Sequence, residues 1–197
     1  MNKPYSESCE QNKQAILEVI KPLLDDVKHL LEIGSGTGQH AIYFAQQLSH
    51  LTWQTSDCES YLNGIKAWID DSDTSNVKPP FVLNVSTSNW PDIDIDAVFT
   101  ANSVHIMSDD DVANMIEGVG RLLTKGNKFI IYGPFNYDGR YTSESNQRFD
   151  VWLKARDEKS SIKDFEKMVS LADENAMRLV EDYAMPANNR ILYFEKV

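Results

Sequence analysis

Glu32-Ile33-Gly34-Ser35-Gly36-Thr37-Gly38-Gln39-His40 is the stretch on which the reading of this chain turns. Three glycines stand at alternate positions. An apolar run, His29 to Ile33, precedes them, and a run over Gln39 to Leu48 with Ala41, Ala45 and Leu48 on one face follows. The spacing predicts a buried strand, a tight loop and a helix. Glycine lets the backbone turn sharply there and lets a ligand approach it closely. The helix start offers free N–H groups and a partial positive charge, which suit a carboxylate or phosphate. Asp57 stands 19 residues beyond Gly38, after a second strand-like run over Leu51 to Ser56. An acid at that place can accept both hydroxyls of a ribose. Strand, glycine loop, helix, strand and acid, in that order, predict a nucleoside-containing cofactor at the carboxyl ends of the strands.

Outward from this unit the alternation continues. Upstream, Ile16, Val19, Ile20, Leu23 and Leu24 form one apolar stripe, predicting a helix from about Ser8 to Leu24 with Ser8 and Gln11 at capping-box spacing. Downstream, helical patterning over Glu59 to Ile69 is followed by strands at Phe81 to Val85, after the pair Pro79-Pro80, and at Asp96 to Ala101. Ser108 and Asp111 cap a helix with its stripe on Val112, Met115, Ile116, Val119, Leu122 and Leu123, and Lys128 to Tyr132 is a further strand. Helical patterns return over Glu144 to Ala155 and Ile162 to Asn175. The chain ends in strands at Arg178 to Ala184 and Arg190 to Glu195, joined by Met185-Pro186-Ala187-Asn188-Asn189. Alternating strands and helices imply a mostly parallel sheet covered on both faces. The last two strands have no helix between them, so they form an antiparallel hairpin at the sheet edge.

The 197 residues match the size of one domain, so residues 1–197 are read as a single unit. The formal charge of −11 disfavours nucleic acid as a partner, and Arg148 to Lys167 is a mixed face rather than a basic patch. No apolar run of about 18 residues predicts a membrane span, and Met1 to Glu10 is too polar for a signal peptide. Two cysteines, Cys9 and Cys58, make neither a disulfide framework nor a metal site, and no cluster of carboxylates and histidines has metal-ligand spacing. A cytoplasmic protein is the simplest expectation. Cys58 is read as a packing residue.

Two cofactors compete for the loop. Gly36-x-Gly38-x-x-Ala41 fits the dinucleotide pattern of NAD enzymes. Against it, Glu32 sits where it can bind an ammonium group, which a dinucleotide lacks, and the chain is short for a cofactor domain plus a substrate domain. Glu32-x-Gly34-x-Gly36-x-Gly38 resembles the first motif of class I S-adenosylmethionine-dependent methyltransferases. The resemblance extends to Asp57, to the strand Asp96-Ala97-Val98-Phe99, to the block Gly118 to Gly133 and to the terminal hairpin. More closely, the stretches Glu32 to Ala45, Leu51-Thr52-Trp53-Gln54, Tyr132-Gly133-Pro134-Phe135, Thr142 to Asn146 and Met185 to Asn189 look like an uncharacterised methyltransferase-like family, long labelled a domain of unknown function.

The resemblance implies a Rossmann-like α/β fold with a seven-stranded sheet, and S-adenosylmethionine as cofactor with S-adenosylhomocysteine as product. Gly34, Ser35, Gly36 and Gly38 would wrap the methionine part, with Glu32 near the ammonium and Asp57 on the ribose. Asn84 and Val85 would meet the adenine, and Ala101 and Asn102 would lie near the sulfonium. His105 would be a general base or a wall of the pocket. Tyr132, Phe135, Ser143, Glu144, Ser145, Asn146 and Phe149 are the candidates for binding the methyl acceptor, expected to be a small molecule. Tyr5, Ser6 and Asn12 would form a lid by analogy with the fold. A protein methyltransferase, an NAD-type oxidoreductase and a non-catalytic cofactor-binding module remain as alternatives. Base-amino methylation of nucleic acid is disfavoured, because neither Asn-Pro-Pro-Tyr nor Asp-Pro-Pro-Tyr follows the fourth strand.

Overall fold

The computed structural model describes residues 3–87 and 89–197. Helix α1 (Glu7–Leu23) is followed by β1 (His29–Ile33), α2 (Gln39–Gln47), β2 (Thr52–Asp57), α3 (Leu62–Asp70) and β3 (Val77–Val82). Then come β4 (Ala97–Ala101), α4 (Asp109–Leu122), β5 (Lys128–Gly133), β6 (Phe135–Asn136), α5 (Glu144–Arg156), β7 (Lys163–Asp164), α6 (Phe165–Glu174), β8 (Met177–Met185) and β9 (Asn189–Lys196). Seven strands form one sheet in the order β3-β2-β1-β4-β5-β9-β8, while β6 and β7 pair separately. Strands β1 to β5 run parallel, and β9 is antiparallel to both β5 and β8. The expected sheet and its terminal hairpin are therefore present. Among the described residues, no helix is long and apolar enough to cross a membrane.

Two apolar layers sandwich the sheet. One joins Ile16, Ile20 and Leu24 with Ala41, Phe44 and Trp53; the other joins Val98 and Ile131 with Met115, Ile116 and Met168. Leu30 to Ile33 are all buried, as expected for a central parallel strand with helices on both faces. In the first layer Phe44, Trp53 and Phe99 meet with ring centroids 5.7–5.8 Å apart, each pair adding about 0.5–1.5 kcal/mol beyond burial.

Three local expectations are corrected. Helix α1 is capped by Ser6, whose Oγ accepts from the Cys9 N–H, so the Ser8–Gln11 capping box does not form. Strand β3 begins at Val77 and contains Pro79 and Pro80 rather than starting after them. It pairs only with β2 at the sheet edge, where a missing N–H costs no ladder bond. Helix α6 starts at Phe165, because Lys163 and Asp164 are drawn into pairing with β6. The Ser108–Asp111 capping box of α4 is formed as expected.

The order of strands reverses between β1 and β4, which opens a crevice at their carboxyl ends. Because β9 is antiparallel to β5, with Arg190 opposite Gly133, the hairpin turn over residues 186–188 arrives at that same edge.

Candidate active site

A cavity of about 1130 Å³ occupies this crevice. Pockets for one drug-sized ligand run to roughly 300–1,000 Å³, so there is room for a nucleoside cofactor and an acceptor together. One half is built by the ends of β1, β2 and β4, the other by the turn after β4, α5 and the hairpin turn.

In the first half, Gly34 and Gly36 have left-handed φ of 72° and 58°. The N–H groups of Gly34 and Ser35 both donate to the Ser56 carbonyl, at 3.1 and 3.0 Å, tying the loop to β2. A Cβ on Gly34 would lie 2.5 Å from Ser103 Oγ, while one on Gly36 would point into open space. Gly36 thus bares its backbone to the cavity, and Gly34 allows the loop to close on the turn after β4. Gly38 packs under α3, against Ile65 and Trp68, and does not line the cavity.

Asp57 closes β2 with one carboxylate oxygen accepting from the Gly36 N–H and the other from the Cys58 N–H, both at 2.7 Å. Burial pushes its pKa up, against the pull of those two donors. Each oxygen keeps a lone pair, so two hydroxyls can still be accepted. Cys58 is exposed and lines the cavity, so it is not a packing residue.

Glu32 is almost fully buried behind the loop, and no described residue of opposite charge pairs with it. Its carboxylate accepts from Trp53 Nε1 at 3.0 Å. Burial pushes its pKa up to about 7, moderated by the Trp53 and Ser35 hydrogen bonds. A buried acid without a countercharge favours a cation brought close to it.

Leu83, Asn84 and Val85 leave β3 along the cavity wall. Asn84 Oδ1 accepts from the Ser86 N–H at 3.0 Å, which fixes the amide within its own turn. Ala101, Asn102 and Ser103 line the crevice after β4, with Asn102 at φ 58°. Helix α1 closes the opposite side. Ser6 and Asn12 line the cavity, and Asn12 Oδ1 lies 2.7 Å from His40 Nε2. Tyr5 is exposed and outside it.

In the second half, His105 and Phe149 meet edge to face, ring centroids 5.2 Å apart. No described residue hydrogen-bonds the His105 ring, and burial, helped by the Lys163 ammonium, holds its pKa down at about 4. The imidazole is therefore neutral at neutral pH. Tyr132, Ser145 and Asn146 share this wall. Asn146 Nδ2 donates to Thr142 Oγ1 at 2.9 Å and to the Asn188 carbonyl at 3.2 Å, locking α5 to the hairpin turn.

The other residues expected at the acceptor lie elsewhere. Phe135 is buried in the second apolar layer, since β6 turns its side chain away from the cavity. Ser143 is spent as the N-cap of α5, accepting from the Asn146 N–H at 3.1 Å, and Glu144 is exposed beside Arg148. In their place stand Ile106, Met107, Pro134, Pro186, Ala187 and Asn189. Pro134, Pro186, Ala187 and Asn189 lie in stretches that carry the family resemblance, but the sequence does not mark them as cavity residues, because tertiary contact alone brings them together. Cys9 and Asp111 line the cavity as well.

The strand order with its one antiparallel strand, the left-handed glycine loop and the acid closing β2 define the class I S-adenosylmethionine-dependent methyltransferase fold. Solved structures agree. The chain is similar to human N-acetylserotonin methyltransferase in complex with S-adenosylmethionine, with TM-score 0.82 and 13% identity over 96% of this chain and 53% of that one. It is similar to an O-methyltransferase family 2 protein from Planctomyces limnophilus in complex with apigenin, with TM-score 0.83 and 13% identity over 96% and 58% of the two chains. For PigF with S-adenosylhomocysteine the values are 0.81 and 9%, over 95% and 56%. The chain spans about half the length of these proteins. It belongs to the family described as "Protein of unknown function (DUF938)", whose model matches residues 3–196.

S-adenosylmethionine joins an adenosine to two cationic centres, a sulfonium and an ammonium. The donor set fits it, with a carboxylate closing β2 that can accept two hydroxyls, a buried carboxyl without a described countercharge behind the glycine loop, and bare backbone between them.

Proposed function

We propose that this protein transfers a methyl group from S-adenosylmethionine to a small-molecule acceptor. The observation that carries the reading is that the left-handed glycine loop and Asp57, bonded to each other through Gly36, form one wall of a cavity large enough for cofactor and acceptor. Asp57 would hold the ribose hydroxyls, Gly34 to Gly36 the methionine part, and Glu32 would favour its ammonium through the loop. The wall from Leu83 to Val85 would receive the adenine, and Ala101 and Asn102 the region of the sulfonium.

When bound, the cofactor supplies a methyl group already activated for direct displacement, carried by a leaving group that departs as a neutral thioether. What remains for this chain is to hold the acceptor in line and exclude water. His105, neutral and without a hydrogen-bond partner among the described residues, can orient an acceptor O–H or N–H and take its proton as the new bond to carbon forms. A small acceptor is supported by the apolar and aromatic lining of the second half of the cavity, and by the apigenin held by one protein of the same fold.

Incubation with methyl-labelled S-adenosylmethionine and a metabolite extract tests this reading. Label on a small molecule is the expected result. Label confined to added protein would make this a protein methyltransferase, and cofactor binding without any transfer would make it a binding module.

A further inference from the structure

We propose that the acceptor is an uncharged aromatic molecule seated against Phe149 beside His105, and that carboxylates and phosphates are refused. This rests on the methyltransferase reading above and adds the chemical class of acceptor to it.

Charge is the first argument. Among the described residues, no lysine or arginine lines the cavity, and its carboxylates are Asp57 and Asp111. The cation that acts on His105 is Lys163, which stands behind the wall and is only 4% exposed. Its Nζ is consumed there, donating to the Met107 carbonyl at 2.8 Å and Ser161 Oγ at 3.0 Å, and pairing with Asp109 at 3.2 Å. The start of α5 comes near the cavity, but Ser143 takes the Asn146 and Gln147 N–H groups, and Glu144 adds a negative charge to that turn. His105 is neutral at neutral pH and brings no countercharge. An anionic acceptor would lose its hydration and find no cationic side chain of the described residues to replace it.

Shape is the second. Phe149 is stacked on Trp152, with centroids 5.7 Å apart and planes 17° apart, and also meets His105 edge to face. This aromatic ladder runs from inside the cavity to the surface, where Trp152 is half exposed. Pro134, Pro186 and Met107 add flat or pliable apolar wall, and the His105 ring is the unengaged polar group among them. Such a site suits a planar ring carrying one O–H or N–H.

Matched probes test the proposal. The full chain is first titrated calorimetrically with S-adenosylhomocysteine, so that failure of the cofactor reading registers separately. Protein holding S-adenosylhomocysteine is then challenged, by equilibrium dialysis at pH 7, with 2-naphthol against 2-naphthoate and with indole against indole-3-carboxylate. The neutral member of each pair should bind at least tenfold more tightly. Ile106→Lys, at a half-exposed position on the cavity wall, should raise 2-naphthoate affinity several-fold. If S-adenosylhomocysteine binds and the carboxylates bind as well as their partners, or neither member of either pair binds, the proposal is overturned.

Discussion

The two halves of the cavity are made in opposite ways. The centre of the glycine-loop half is local, with the 29 residues from His29 to Asp57 supplying the loop, both acids and the strands that present them. The acceptor half is assembled from His105, Pro134, Asn146, Phe149 and residues 186–189, which meet only because β9 runs antiparallel to β5 and returns the hairpin turn to the crevice. A motif can specify a contact to a common cofactor within one supersecondary unit. An acceptor site is a property of the finished fold.

Breaking the first half should cost most. Gly34→Ala places a methyl 2.5 Å from Ser103 Oγ in a left-handed conformation. Strain and overpacking together predict about 3 kcal/mol of lost stability in denaturant melts, and loss of measurable S-adenosylhomocysteine binding. Asp57→Ala should weaken cofactor binding by about 1–3 kcal/mol, roughly ten- to a hundredfold, since a charge-assisted contact is deleted. Unchanged affinity in calorimetry would remove the ribose role.

Glu32 sharpens the comparison through pH. Its carboxyl binds a proton more readily in the folded chain, where its pKa is about 7, than in the unfolded one. Its contribution to stability is therefore greatest below about pH 4.5 and is lost as pH rises towards 7, by about 2–3 kcal/mol. His40 and His105, both held near 4 by burial, act in the opposite sense, adding stability as pH rises from about 4 to 6.5. The difference between wild type and Glu32→Gln in denaturant melts at pH 5 and pH 8 isolates the acid, and the variant should lose the falling component. Cofactor affinity should rise between pH 6 and 8 in the wild type, as Glu32 ionises, and stay flat in Glu32→Gln.

On the acceptor side, His105→Gln should slow transfer without weakening S-adenosylhomocysteine binding. The wild-type rate should show no inflection near pH 6.5, since the imidazole has already lost its proton by then. An inflection at 6.5 assignable to His105 would contradict its burial. Smallest of all, Ser143→Ala should remove the α5 cap for about 1 kcal/mol of stability while leaving cofactor affinity intact. A comparable loss of affinity would mean that the two halves are not separable.

The same contrast explains what was legible in the chain. Strand β1 was readable over His29 to Ile33 because burial on both faces demands an apolar run, and the α4 cap because Ser108 and Asp111 act within one turn. The start of β3 was not, since the two prolines are tolerated only because nothing pairs beyond that edge. The inward turn of Phe135 and the exposure of Cys58 depend on neighbours far away in sequence. The resemblance names Phe149 and Asn146 as acceptor candidates, yet what ties Asn146 to the hairpin turn, its bond to the Asn188 carbonyl, is a contact 42 residues away in sequence.

Calorimetric titration of the purified full chain with S-adenosylhomocysteine, and in parallel with NAD, tests the central claim most directly. The account predicts saturable one-to-one binding of S-adenosylhomocysteine, weakened ten- to a hundredfold by Asp57→Ala, and no binding of NAD. Tight binding of NAD with none of S-adenosylhomocysteine would contradict it.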